Sequence, residues 1–506
     1  MEKIKIKIKN LIHQNPKEFW ILLGILVVAA FCRLYRIDHY MTFLGDEGRD
    51  VIIVRRLLTE GHPPLIGPGT SIGNMYLGPL YYYMMAPALL IAGFSPVGPA
   101  IQIAILGIIT VWFVWYVGRI WFGKIAGLIS AAIFAIAPTV IIYSRSSWNP
   151  NIMPFFALLS MYSIWKVWKD HAYKWLIVLG ASYAAVLQSH YLGLLLAPTI
   201  GIFWFLFIRS VWKDKVLKKK GVLYSVYAFI IFILLMSPLF FFDLRHNWMN
   251  AKAMYTFFTV RQETVSIKPW SAIPKIPEML NLVDSSVVSA KNMAGALIAS
   301  ILIFLGIVWT LIKKRSPQIW FLVSWIGFSL LGFGLYKQNI YDHYFGFIFV
   351  VPFLLIGAFL STLMESGKIL KWLAAIILGF LIAINLLNSP LKKEPNSLLQ
   401  RSEDVSHKIF EEANGQPMNL AVIADNNYEA GYQYFVQLYG GKVLEILATD
   451  KSTFANQLFV VCELIPTSKC DPTHNPKAQI ANFGWSKIAA QWDLDGVIIY
   501  RLIHTQ

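Results

Sequence analysis

Apolar runs close to twenty residues long recur through this chain, and a helix of that length crosses the ~30 Å hydrocarbon core of a bilayer. Eleven runs are read as spans: 18–37, 97–117, 125–144, 152–168, 173–190, 191–209, 221–242, 291–312, 317–336, 343–364 and 370–388. One further stretch, residues 77–93, decides the sidedness of everything after it. Composition agrees with a bilayer protein, with 57% of residues hydrophobic, 14% charged and a mean hydropathy of +0.55.

Basic residues choose between the two readings of 77–93. Lys3, Lys5, Lys7, Lys9 and Lys17 hold the amino terminus in the cytoplasm. If 77–93 lies on or dips into the outer face, five basic loops fall inside: Arg119/Lys124, Lys166/Lys169/Lys174, Lys213/Lys215/Lys218/Lys219/Lys220, Lys313/Lys314/Arg315 and Lys368/Lys371. If it spans, they face outward, against the positive-inside bias. The expectation is eleven spans, amino terminus inside and carboxyl terminus outside. The net charge of +16 then reads as topology and contact with anionic membrane lipid, not as a nucleic-acid surface. The first apolar run is long enough to span and is followed by Arg33 and Arg36, so no cleaved signal peptide is expected.

Two domains are expected. Residues 1–390 form an all-α polytopic membrane body, and 391–506 a small extracytoplasmic α/β domain. In the latter, 402–413 and 430–439 have helical spacing, while 419–424, 457–464 and 496–504 read as strands. Cys32 reads as a buried apolar filler, and Cys462 with Cys470 would close a short disulfide loop in an oxidising compartment.

Residues 125–144, 221–242, 317–336 and 344–364 contain no Asp, Glu, Lys or Arg. A coupled transporter usually needs ionisable groups at mid-membrane. Here the polar candidates gather at outer helix ends: Asp46, Glu47, Asp50, Arg145, Asn149, Asn151, His190, Asp243, Arg245, Lys337, Asp342 and His343. That placement points to chemistry at the outer membrane surface. Asp46 and Glu47 open an amphipathic helix over 47–60, whose positive end favours carboxylates; an ordinary helix cap would look the same. Tyr81 and Tyr82, in Gly78-Pro79-Leu80-Tyr81-Tyr82-Tyr83, suit the membrane interface or a sugar site equally. Arg145, Trp148, Asn149 and Asn151 combine a forked cation, an aromatic face and amides, fitting phosphate and sugar recognition; a snorkelling arginine beside an interfacial tryptophan is the plainer account. His190 and His343 stand between spans. Asp46, Glu47 and His62 could be assembled into a divalent-metal site, but no ligand spacing specifies one, and no metal ligand is assigned.

Together these elements resemble the GT-C class of membrane glycosyltransferases, in the bacterial branch related to protein O-mannosyltransferases and the lipid A aminoarabinose transferase. The resemblance covers roughly residues 18–390. It rests on the order of Gly45-Asp46-Glu47, Gly78-Pro79-Leu80-Tyr81-Tyr82-Tyr83, Gly118-Arg119-Ile120-Trp121-Phe122-Gly123, Tyr143-Ser144-Arg145 and His343-Tyr344 with Pro352. It implies a GT-C type fold and an inverting transfer from a polyprenyl-phosphate sugar to an extracytoplasmic lipid, glycan or protein. By the same resemblance Asp46 is the base, Glu47 its acidic neighbour and Arg145 the second-loop arginine. Arg245 and Lys337 are further donor-phosphate candidates, and Tyr81, Tyr82, Trp148, Asn149, His190 and His343 substrate contacts. Family members often have His-Pro-Pro directly before the Leu-Tyr-Tyr element, whereas His62-Pro63-Pro64 here is separated from Leu80. Many also have an aspartate after the second-loop arginine, where this chain has Asn149 and Asn151. The rival readings are a membrane transporter or lipid flippase, and a scaffold for which Asp46 is dispensable.

Overall fold

The computed structural model describes residues 15–505, except 71–72, 260–263, 267, 314–315 and 467–468. Lys3, Lys5, Lys7, Lys9, Lys314 and Arg315, which carry part of the sidedness reading, lie outside the described residues.

Helix α1 (Pro16–Leu34) begins with proline, whose fixed φ suits the first helical position. A short turn then delivers the chain to α2 (Gly45–Glu60) and α3 (Leu80–Ile91). Helix α3 has 12 residues. At 1.5 Å per residue that is about 18 Å, well short of a bilayer crossing. α4 (Val97–Phe122) packs against both α1 and α5 (Lys124–Ile136). Among the described residues, five helices are long and apolar enough to cross a membrane: Val97–Phe122, Tyr191–Val211, Lys215–Arg245, Pro317–Leu335 and Lys368–Leu387. A sixth crossing is available to the pair Asp342–Ile348 and Val350–Glu365 (the latter α6), which meet at a 59° bend.

The protein is thus a multi-pass membrane protein, but its helices do not match the eleven expected spans one for one. The stretch 125–144 breaks at Ala137, which is extended (ψ 120) because the following Pro138 disfavours helical geometry at the residue before it. The stretch 173–190 is a 15-residue helix, Trp175–Ser189. The membrane core is dense in aromatic rings, with Trp121, Trp165 and Phe321 in mutual contact. The buried Trp325 indole donates to the Phe347 carbonyl at 3.1 Å, so its one polar atom is satisfied.

The carboxy-terminal unit carries α7 (Leu398–Ala413), α8 (Ala430–Leu438) and α9 (Ala478–Phe483) around four strands: β1 (Asn419–Ile423), β2 (Gln457–Cys462), β3 (Ser486–Leu494) and β4 (Val497–His504). The sheet order is β1-β2-β4-β3, with β1 and β2 parallel and the other pairs antiparallel. β1 and β2 are buried throughout because helices cover both faces. β3 is a mostly exposed edge joined to β4 through Asp495-Gly496, both at positive φ, as a two-residue hairpin requires. Cys462 and Cys470 form a disulfide, and Cys32 is buried and free.

A separate apolar core joins this unit to α2, α3 and α4 of the helical body. Val51, Ile52 and Val54 of α2, Tyr82 and Met85 of α3, and Ala430, Tyr434 and Phe435 of α8 are buried in it together. Each fully buried ring there is worth roughly 1.5–3 kcal/mol. The Tyr434 hydroxyl donates to the Phe94 carbonyl across the same junction.

Candidate active site

Helix α2 arranges four charged residues within its first two turns. Glu47, at the third helical position, folds back so that its carboxylate accepts from the Leu44 backbone N–H at 3.0 Å. This occupies a backbone donor that the helix cannot pair internally. Glu47 is buried, and the loss of hydration raises its carboxyl to about 8.

Arg49 lies between two aspartates. It donates to Asp46 Oδ1 at 2.7 Å from Nη1, and to Asp50 Oδ1 at 3.0 and 2.8 Å from Nε and Nη2. Asp50 is completely buried and also accepts from the Tyr82 hydroxyl at 3.2 Å. Burial pushes its carboxyl up to about 6, with Arg49 pulling the other way. Asp46 is the exposed member of the group, with 41% of its side chain accessible. A second donor reaches it from the far end of the chain: the Tyr428 hydroxyl, 3.0 Å from Oδ1.

Asp46 and Arg49 form one wall of a cavity of about 130 Å³. The other walls come from Pro68–Thr70 and Leu77, from Trp148 and Asn149, and from His190, Tyr191, His343 and Tyr344. Trp148 packs on His343 with ring centroids 4.7 Å apart, and His190 lies 5.9 Å from His343. Asn149 is fixed by donating to the Ser189 carbonyl at 2.7 Å, and His190 Nδ1 accepts from the Leu192 N–H at 3.2 Å. Segments distant in sequence therefore converge on Asp46. A larger cavity of about 410 Å³ lies on the other side of Arg49 and Tyr428, between α2 and the carboxy-terminal unit. Arg56, Glu429, Gln433, Glu445 and Gln479 give it a polar lining.

The sequence candidates divide. Asp46, Trp148, Asn149, His190 and His343 line the smaller cavity. Glu47, Tyr81 and Tyr82 stand behind it: Tyr81 is buried and shares a 2.6 Å hydrogen bond with Ser147, while Tyr82 supports Asp50. Arg145 does not reach the cavity. Its guanidinium donates to the carbonyl oxygens of Cys32 at 3.0 Å and Tyr35 at 2.6 Å, and lies over the Tyr40 ring. It ties the end of α1 to the following loop, and the arginine beside the acids is Arg49. Arg245 is exposed at the end of Lys215–Arg245, and Lys337 is exposed with its backbone N–H on the Thr264 carbonyl. Neither lines this cavity. His62 pairs with Glu60 at 3.1 Å on the surface, and among the described residues no three His, Cys, Asp or Glu side chains gather as a metal would require.

Arg49 and Tyr428 were missed from sequence. Arg49 stands three residues after Asp46, the helical spacing that places side chains side by side, so its signal was present. Tyr428 is 382 residues from Asp46 and no local pattern links the two.

Residues 77–238 match the family model for dolichyl-phosphate-mannose-protein mannosyltransferase. No curated protein sequence matches the chain. Among solved structures, ArnT from Cupriavidus metallidurans bound to undecaprenyl phosphate is similar with a TM-score of 0.60 at 11% identity, over 95% of this chain and 97% of that one. The same protein in the apo state gives 0.59 at 12%, with the same coverage. The archaeal oligosaccharyltransferase AglB from Archaeoglobus fulgidus, in complex with an inhibitory peptide and a dolichol-phosphate, gives 0.52 at 13%, over 89% of this chain and 70% of that one. The chain therefore has the fold of the GT-C membrane glycosyltransferases.

Proposed function

We propose that the protein transfers a sugar from a polyprenyl-phosphate donor to a hydroxyl-bearing acceptor at the outer membrane surface, with inversion at the sugar carbon. The observation that carries this reading is the half-exposed Asp46 carboxylate in a cavity walled by Trp148, Asn149, His190 and His343. The similarity of the fold to proteins bound to undecaprenyl phosphate and dolichol-phosphate supports the donor class.

In this reading the sugar occupies the smaller cavity, with Trp148 offering an aromatic face and Asn149 and the histidines polar contacts. The acceptor hydroxyl meets Asp46 in that same cavity, which Asp46 lines. Asp46 takes the acceptor hydroxyl's proton as the acceptor oxygen bonds to the anomeric carbon. The bond from that carbon to the phosphate oxygen breaks on the opposite side, and its electron pair leaves with the polyprenyl phosphate. Arg49, the only arginine lining the smaller cavity among the described residues, holds the base through its bond to Asp46. Both Arg49 and Tyr428 bond Oδ1 of Asp46, leaving Oδ2 for the acceptor. The amino terminus is cytoplasmic and the carboxy-terminal unit extracytoplasmic.

The test is incubation of purified protein with radiolabelled polyprenyl-phosphate sugars and membrane extract, without any ion gradient. Wild type is expected to label a product, and Asp46→Asn to lower turnover ~10²–10⁴-fold, the usual contribution of a positioned base, while still inserting in the membrane. Undiminished turnover in that variant would remove Asp46 as base. Gradient-dependent movement of the lipid without sugar transfer would favour a flippase.

A further inference from the structure

The carboxy-terminal unit does more than lie above the membrane body. Its Asn427-Tyr428 turn enters the first turn of α2. Asn427 Oδ1 accepts from the Gly45 N–H at 2.8 Å, and the Tyr428 ring covers Gly45 so closely that a Cβ there would fall 2.3 Å from the ring. The turn is also anchored from behind. Asn427 Nδ2 donates to Glu463 at 2.7 Å, and Glu463 is held by the Tyr432 hydroxyl at 2.6 Å and by Arg401 at 3.3 Å.

The Tyr428 hydroxyl donates to Asp46 Oδ1 and accepts from Arg49 Nη1 at 3.3 Å. Arg49 is itself divided between Asp46 and Asp50, so it cannot fix the exposed carboxylate alone. A neutral O–H donor adds a second constraint on Asp46 without adding charge. It comes from a rigidly tied turn, the condition under which a supporting residue can set geometry.

Resting on the reading of Asp46 as base, we propose that Tyr428 is a positioning residue for that carboxylate, so that the carboxy-terminal unit completes the catalytic centre. Its hydroxyl holds the Asp46 carboxylate in one orientation.

The test compares wild type with Tyr428→Phe, which keeps the ring over Gly45 and removes only the hydroxyl. The probe is whichever labelled polyprenyl-phosphate sugar the wild type turns over with membrane extract. kcat is expected to fall about 10- to 100-fold, the scale of one hydrogen bond to a charged group, with donor KM within about twofold and melting temperature unchanged. Asn427→Ala, which frees the turn, should lower kcat in the same direction. Wild-type kcat in Tyr428→Phe would overturn the proposal. So would a kcat loss matched by a fall in melting temperature or by an equal rise in donor KM. Failure of wild type to transfer any sugar would instead strike the reading beneath it.

Discussion

Gly48→Ala tests whether α2 and the carboxy-terminal unit meet as closely as described. A Cβ at Gly48 would lie 2.3 Å from the Gly431 nitrogen, 2.4 Å from the Ala430 carbonyl carbon and 2.5 Å from the Gly431 Cα. All three are backbone atoms of α8, so no side chain can rotate away. Either α2 or α8 must shift. Overpacking of this kind costs typically ~1–3 kcal/mol, which at about 1.4 kcal/mol per factor of ten weakens the docked arrangement roughly 5- to 150-fold. Gly201→Ala is the control, because a Cβ there meets nothing within 4 Å. Hydrogen exchange of the detergent- or nanodisc-held protein, followed by mass spectrometry, reads the result. Peptides from the first turn of α2 and from α8 should exchange faster in Gly48→Ala, by the factor above, and not in Gly201→Ala. Equal exchange in both variants would refute the close approach and, with it, the direct hold of the unit on Asp46.

Two further predictions concern individual charges. Glu47 has its folded carboxyl raised from the ordinary 4.5 to about 8 by burial. Its favourable contribution is therefore complete below about pH 4.5 and is lost as pH rises through about 8. Glu47→Gln keeps an acceptor for the Leu44 N–H, so its stability relative to wild type should improve steadily from pH 5 to pH 8.5 in thermal melts; a pH-independent difference would contradict the buried neutral acid. Arg145→Ala should lower the melting temperature, since charged hydrogen bonds such as those to Cys32 and Tyr35 are worth about 1.5–3 kcal/mol each. It should leave donor KM in the surviving folded protein unaltered, and a selective rise in donor KM would return Arg145 to the phosphate.

Much of the architecture was legible because hydropathy and charge act over long windows. The apolar runs and three of the carboxy-terminal strands follow from composition and periodicity. Span count was less legible: Pro138 splits one run, and the bend between Ile348 and Val350 depends on packing that periodicity does not encode. β3 escaped because its edge position leaves it mostly exposed, although Asp495-Gly496 was a hairpin signal. At the candidate site, the carbonyl partners of Arg145 are contacts that no local sequence pattern encodes, whereas the Asp46–Arg49 pair has helical spacing. Tyr428 was invisible for a geometric reason, since sequence patterns register neighbours and this contact closes the chain almost end to end.

Arg49 borders both cavities and bonds an aspartate on each side. A ligand in either chamber that recruits this guanidinium withdraws it from the other, so occupancy on one side is communicated to its neighbour through a single shared side chain. Truncating Arg49 therefore alters the walls of both chambers at once.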